Sequence, residues 1–430
     1  MPDSKKLQKG LKCVECETVY PISPMNYCDE CFSPVQPHYD PDKGDLRKTI
    51  EKGPRTLFRY APLLPVNDDP GYDIGFTELH QSDELAERLG FQNGKMRLKI
   101  EEGPYSGTFK DRGVMIVASL LPYFRERFGN DGYAFEMLGG TSTGNLASSI
   151  ASVGNLTKTP SVVIVHGGVD ENLVRKTLSF GAYVLVVNSD YSTANNTLKG
   201  VVNGDDNLGS RIAWINMGLR PLYSQGAKTI GLEIAEQLGW NSPEHIVHPV
   251  AAGLSLWQIY AGLKEAEQFG LLDGVKTRIH AAQPEGCNPV VSSILSGKEL
   301  TPFKNPHSAA ETLCVSDPSN GYNTIDAVVS SGGTGISVTE DDIAEGMMIV
   351  EQTTDWNTGP VGGTTIAATK KLLERGVIRN DELTVLVLTD AIAKGNEGRY
   401  FGSAAGTRID LNPDEGEMKR TLNKILEGKI

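Results

Sequence analysis

The sequence predicts an α/β protein with a small cysteine-rich module at its N-terminus, and three observations predict it. Short runs rich in β-branched residues at 162–165, Tyr183–Val187, 246–247 and Thr384–Leu388 are bounded mostly by Gly, Asn, Asp or Pro. Continuous apolar runs of that length suit strands of a parallel sheet covered on both faces. Between them lie amphipathic stretches at 173–180, 230–238, 256–269 and 343–352, and such alternation calls for layered sheets with right-handed crossovers. The 47 glycines have no collagen-like period; they suit many tight strand-to-helix connections.

A length of 430 residues fits two or three domains. With 39% hydrophobic and 22% charged residues the chain can bury a large core, which excludes disorder. The net charge, 41 − 54 = −13, argues against a nucleic-acid or anionic-membrane partner. An anionic substrate must therefore meet a local cluster of donors. No run approaches the roughly 20 apolar residues that span a bilayer. The first residues, MPDSKKLQKG, put no apolar stretch behind their lysines, so a signal peptide is not expected. The expectation is a cytoplasmic enzyme acting on a small molecule.

Four of the six cysteines form two CxxC knuckles, Cys13–Cys16 and Cys28–Cys31. A short hairpin bearing Pro21 and Pro24 would bring the knuckles together as a tetrahedral thiolate site for a structural zinc. With four protein sulfurs as ligands no position is left for substrate, so the metal is expected to hold the module and take no part in chemistry. Cys287 and Cys314 read as isolated small apolar residues.

Three segments carry candidate chemistry. In Gly103-Pro104-Tyr105-Ser106-Gly107-Thr108-Phe109-Lys110-Asp111-Arg112-Gly113 a turn leads to a lysine at a helix start (114–121). There the positive end of the helix dipole lowers an amine pKa, as a Schiff-base lysine needs; a solvated Lys-Asp-Arg triplet is the plain alternative. Gly139-Gly140-Thr141-Ser142-Thr143-Gly144-Asn145 opens a small-residue helix (146–153), and the segment from His248 to Ser255 follows a strand and enters another. Each is either an ordinary glycine-rich connection or an anion cradle of backbone N–H groups. There is no GxxxxGKS/T and no strand-linked GxGxxG, which disfavours a P-loop or dinucleotide fold. A candidate Schiff-base lysine with two anion loops points to pyridoxal phosphate.

SGTFKDRG resembles the lysine motif of threonine synthases, among the fold-type II pyridoxal-phosphate enzymes. FRYAPLLP at 58–65 resembles the opening segment of the longer members, SQGAKTIGLEIAEQLGW at 224–240 their glycine–lysine–threonine helix, and the ribbon a module found in that group. The resemblance, over nearly the whole chain, implies a tryptophan synthase β-like fold of two α/β domains with mostly parallel sheets. The expected boundaries are a ribbon at 1–40, a segment at 41–110 leading to the lysine, a small domain at 111–225 and a large domain at 226–430, joined by parts of 41–110. It implies that Lys110 bonds the cofactor covalently and moves the Cα proton. It implies that Asn145 meets the cofactor's phenolic oxygen and that Ala251, Ala252, Gly253, Leu254 and Ser255 cradle its phosphate. Thr389 meets the ring nitrogen, with Asp390 next door not excluded. Thr108, Arg220 and Lys228 are candidates for a substrate phosphate.

Four departures stand against the family pattern: Gly103-Pro104-Tyr105 replaces an Asn-Pro, Ala251-Ala252-Gly253-Leu254-Ser255 replaces Gly-Asn-x-Gly-Asn, Gly359-Pro360-Val361-Gly362-Gly363 stands for Glu-Pro-Ala, and Ile74-Gly75-Phe76-Thr77-Glu78-Leu79 for Glu-Gly-x-Thr-Pro-Leu. The implied reaction takes O-phosphohomoserine and water to threonine and phosphate by γ-elimination and β-addition, in a homodimer. Its rivals are elimination or replacement on another amino acid such as O-phosphoserine, a hydroxyamino-acid dehydratase, and a non-catalytic ribbon scaffold.

Overall fold

The computed structural model describes residues 9–430 apart from 43, 68, 143 and 395–399, and apart from the side chains at 131, 191, 192 and 206. Thr143, in the second candidate loop, lies outside the described residues. The N-terminal module is a three-stranded antiparallel sheet, β1 (Lys9–Cys13), β2 (Val19–Tyr20) and β3 (Val35–Tyr39), with β1 in the middle. Helix α1 (Leu46–Lys52), a 3₁₀ stretch (Leu57–Leu63), β4 (Leu79–His80), α2 (Asp83–Leu89) and β5 (Met96–Ile100) follow. Sequence sets these limits locally: Ser82 accepts the Leu85 N–H at the start of α2, and Gly90, at φ +90°, ends it.

After the long α3 (Asp111–Phe128) the alternation begins: β6 (Met137–Thr141), α4 (Asn145–Thr157), β7 (Ser161–His166), α5 (Glu171–Ser179), β8 (Tyr183–Val187), α6 (Tyr191–Asn203), α7 (Asp206–Arg211) and β9 (Ile212–Trp214). It resumes with α8 (Arg220–Gln237), β10 (His245–Pro249), α9 (Leu254–Gln268), β11 (Arg278–Pro284), α10 (Pro289–Ser296), α11 (Gly321–Ser330), β12 (Gly335–Val338) and α12 (Glu340–Thr353). The chain ends with β13 (Trp356–Asn357), α13 (Pro360–Glu374), β14 (Thr384–Leu388), β15 (Ile392–Ala393), β16 (Thr407–Leu411) and α14 (Glu415–Leu426). No helix among the described residues is long and apolar enough to cross a membrane.

Two sheets carry the body. The larger runs β12-β11-β10-β14-β5-β4, parallel except for β4; the smaller runs β16-β8-β7-β6-β9, parallel throughout. All four apolar runs read as strands are strands. One expected boundary does not hold: β16 pairs with β8, so the last strand belongs to the smaller sheet and not to the 226–430 unit.

Strand order positions the site. In the larger sheet the chain steps from β10 to β11 and β12, then returns to place β14 on the other side of β10. In the smaller sheet β7 and β8 lie on one side of β6 and β9 on the other. Each reversal opens a crevice at the carboxyl ends of the central strands, where open α/β sheets bind ligands. The loops after β6, β10 and β14 are the segments singled out above.

Candidate functional site

The lysine segment extends β5: the Glu101 N–H still donates to Leu388 O at 2.8 Å. It then folds on itself so tightly that a β-carbon on Gly103 would overlap the Thr108 carbonyl. Gly107, at φ +73°, passes under the Tyr400 ring; there only glycine is unstrained. Ser106 donates its N–H and hydroxyl to the buried Asp111. Lys110 is the residue before the first turn of α3, partly buried, its ammonium 4.7 Å from the Phe109 ring centre. Burial pushes its pKa down to about 8, and the Asp111 carboxylate works in the opposite direction. The lowered pKa expected from the helix end is present, but burial leads it.

Two features hold α3, and with it Lys110, in place. First, α3 meets α8 backbone to backbone: a β-carbon on Gly226 would overlap Arg112 and Gly113, and one on Gly113 would overlap Tyr223 O. Helix α8 meets α9 the same way through Gly231 and Gly262. Second, the Arg112 guanidinium lies between two buried carboxylates, Glu101 (2.8 Å) and Glu233, and Lys99 pairs with Glu233 at 2.7 Å. Glu233 also accepts the N–H groups of Phe76 and Thr77, which is where the divergent 74–79 segment is anchored. Gly226→Ala should force α3 and α8 apart, costing about 1–3 kcal/mol in urea unfolding; an unchanged midpoint would show that the crossing tolerates a methyl group.

At the end of β6, Thr141 is held on both sides: its N–H and carbonyl bond the Asn216 amide at 3.3 and 2.9 Å, and its hydroxyl donates to Asn195. Ser142 then bonds the Gly144 backbone, and Asn145 opens α4, partly exposed. After β10, Gly253 (φ +92°) packs against Thr324, whose hydroxyl oxygen a β-carbon would overlap. The carbonyls of Ala252 and Gly253 are taken by the Asn320 N–H and the Thr324 hydroxyl, both at 3.0 Å. With its carbonyls turned to α11 the loop presents its N–H groups elsewhere. Those opening α9 have no acceptor within the helix, so the loop fits an anionic phosphate without the asparagine side chains. Just before it, His248 donates Nδ1–H to Pro249 O; burial pushes its pKa down to about 4 and leaves it neutral. Its Nε2 is buried without a partner among the described residues.

Thr389 follows β14 and is buried. Its neighbour is committed elsewhere: Asp390 accepts from the Thr358 hydroxyl (2.8 Å) and from the N–H groups of Val361 (3.1 Å) and Gly362 (2.9 Å). The divergent 359–363 segment is thus a nest for Asp390, and β-carbons on Gly359 and Gly362 would intrude on it. Of the three candidates for a substrate phosphate, Arg220 stands at the start of α8 with Nη2 2.6 Å from Ser319 Oγ. Thr108 is buried in the lysine turn. Lys228 is buried, bonded to Leu63 O and Glu265 at 2.7 Å each, and lies over the Tyr39 ring, so its ammonium is already engaged.

Sequence reading missed the 310–320 segment. Ala310 and Leu313 pack with Val361 and Ala251, Thr312 approaches Gly144, Ser319 holds Arg220, and Asn320 bonds the 251–255 loop. Cys287 and Cys314 are also not isolated: burial, then the Cys314 thiol beside it, pushes Cys287 up to about 12.

In the N-terminal module the sulfurs of Cys13, Cys16, Cys28 and Cys31 all lie within 4.8 Å of one another. Four thiolates at the Zn–S distance of about 2.3 Å stand at such mutual distances, so the donor set fits zinc.

Residues 71–390, which hold Lys110, Asn145, the 251–255 loop and Thr389, match the family described as pyridoxal-phosphate dependent enzyme. The chain belongs to that family. This pyridoxal-phosphate-dependent enzyme is 30% identical over 411 residues to a threonine synthase of Methanosarcina acetivorans, covering 94% of this chain and 96% of that one. With a threonine synthase of Methanocaldococcus jannaschii it shares 26% over 423 residues, 96% and 99% of the two chains. Among solved structures it resembles a fungal L-serine ammonia-lyase from Rhizomucor miehei, with TM-score 0.59 at 18% identity over 73% of this chain and 93% of that one. A threonine deaminase from Solanum lycopersicum gives 0.59 at 17% over 74% and 85%. These structural likenesses carry the fold-type II architecture.

Proposed function

We propose that this enzyme is a lyase converting O-phosphohomoserine and water to L-threonine and phosphate. One observation carries the reading: the likeness to threonine synthases extends over 94–96% of this chain and 96–99% of theirs. The ammonia-lyase and deaminase structures share under a fifth of the aligned residues.

Bound pyridoxal phosphate supplies an electron sink for the substrate's Cα and Cβ carbanions. The chain's residues do the rest. Lys110 Nζ, at about pKa 8, presents a neutral fraction near pH 7. It would hold the cofactor covalently and serve as base and acid for the protons at substrate Cα and Cβ. Asn145 would orient the bound ring, and the N–H groups of 251–255 would hold its phosphate. Thr389 would offer a neutral hydroxyl to the ring nitrogen, since Asp390 is taken up by Thr358, Val361 and Gly362. Arg220, steadied by Ser319, meets the leaving phosphate with a guanidinium. Thr108 serves the turn that presents Lys110. Cys13, Cys16, Cys28 and Cys31 bind a structural zinc, and metal analysis should find about one per chain; a zinc-free protein with an intact ribbon would oppose that assignment.

A second reading, elimination or replacement on another phosphorylated amino acid such as O-phosphoserine, draws support from the side-chain-poor Ala251-Ala252 loop. The test is an absorbance spectrum before and after O-phosphohomoserine, with phosphate and threonine assayed in the same tube. Both products appearing together with a spectral shift support the first reading; a spectrum indifferent to that substrate refutes it.

The Lys110 pKa sets a further expectation. The amine is the nucleophile, so cofactor capture by the apoenzyme should speed up as pH rises through 8 and level off above it. Stopped-flow absorbance reads this, and an inflection near the ordinary lysine value of about 10.4 would show that burial does not tune Lys110.

A further inference from the structure

We propose that Asn26, in the zinc-ribbon module, is a positioning residue for the cofactor, so that metal binding at the four cysteines and cofactor binding at the loop after β6 are thermodynamically coupled. The inference rests on the reading of Asn145 as a cofactor ligand made above.

The ribbon is not a tethered appendage. Asn26 lies between the knuckles, two residues before Cys28. Its carbonyl accepts the Val35 N–H at 3.0 Å, and Cys28 N–H bonds Ser33 O at 2.8 Å. The second knuckle therefore fixes where Asn26 stands. The Asn26 side chain leaves the ribbon and donates Nδ2–H to Met217 O at 2.6 Å. Met217 belongs to the turn between β9 and α8, next to Asn216, whose amide clamps both backbone groups of Thr141. Thr141 is the last residue of β6, and the chain goes straight on through Ser142 and Gly144 to Asn145. From a cysteine knuckle to the loop that orients the cofactor ring, the path is one side-chain hydrogen bond, one turn and one amide clamp.

A second contact runs parallel to the first. The buried Tyr39 hydroxyl of β3 donates to Gln225 Oε1 at 3.1 Å, and Gln225 adjoins Gly226, the residue against which α3 lies. Both contacts are buried enough to matter. A hydrogen bond of this kind contributes about 0.5–1.5 kcal/mol, which as a shift in a binding equilibrium is about two- to tenfold. Coupling between two binding sites is reciprocal. Whatever factor the metal lends to cofactor affinity, the cofactor must lend to metal affinity.

The deciding experiment uses the full-length chain. Apoenzyme is titrated with pyridoxal phosphate by absorbance, for the wild type and for Asn26→Leu, which removes the donor at similar volume. Zinc is followed by a chromogenic chelator, with and without bound cofactor. Expected results are cofactor affinity about two- to tenfold weaker in Asn26→Leu, and less zinc lost from the wild type to the chelator at equilibrium when the cofactor is bound. The variant should lose that protection. Tyr39→Phe, which deletes one oxygen, should weaken cofactor affinity in the same direction and serves should Asn26→Leu fold poorly. Equal cofactor affinity in wild type and both variants overturns the proposal, as do zinc loss indifferent to the cofactor and a protein that takes up no zinc. A wild type that binds no pyridoxal phosphate overturns instead the reading on which the inference rests.

Discussion

Replacing Lys110 by alanine should remove the absorbance of lysine-bound cofactor and lower turnover by about a thousandfold or more, because in the proposed function one amine both bonds the cofactor and transfers protons. The fold should survive. Lys110 stands outside the buried charge cluster, and its neighbour Asp111 keeps both Ser106 bonds. Removing a desolvated amine should even leave thermal unfolding unchanged or slightly raised. The measurement is a spectrum, a turnover assay and a melting curve on one preparation. Wild-type turnover in the variant would move the chemistry to another residue, and loss of the folded state would make Lys110 structural.

Glu233→Ala should be the most destabilising single change to a side chain that touches no ligand. Glu233 accepts from Arg112, Lys99 and two backbone N–H groups. Deleting it leaves two buried cations facing Glu101 alone, a loss of about 3–5 kcal/mol. Glu136→Ala, which breaks a surface pair with Arg211 at 2.7 Å, should cost less than about 1 kcal/mol. Urea midpoints compare the two, and equal losses would contradict the argument.

The acid limb has a definite sign. Burial opposes the Glu233 charge, but Arg112 and Lys99 overcome it and hold the pKa down to about 2. Its contribution is therefore full above the unfolded carboxylate value of about 4.3 and is lost as pH falls through about 2. The variant should lack that part of the acid transition.

Much of this was legible in the sequence, for a physical reason. Fully buried parallel strands are uninterrupted apolar runs, and the runs at 183–187 and 384–388 are β8 and β14 to the residue. The CxxC spacing forecast sulfurs that do come together. What escaped is tertiary. Helix α8 begins ten residues before its apolar periodicity at Ile230, because Gly226 and Gly231 read as breakers in one dimension and are crossing points in three. Lys228 looked like a free cation until Glu265 and Leu63 O were seen beside it. The 310–320 segment is a polar loop with no periodicity, and only the fold brings it to Gly144, Ala251 and Arg220. Asp390 beside Thr389 was ambiguous because two adjacent polar residues after a strand point to different sides, and one of them serves α13.

The pairing of β16 with β8 sets a clock for biosynthesis. Val187 pairs with Leu411, 411 − 187 = 224 positions further along the chain, so the β8 edge stays bare until that whole stretch has been made. Pairings this distant in sequence close slowly, and an unpaired parallel edge is a template for other chains. A chain that stops before residue 407 presents an adhesive edge, whether it stalls there in synthesis or is cut there afterwards.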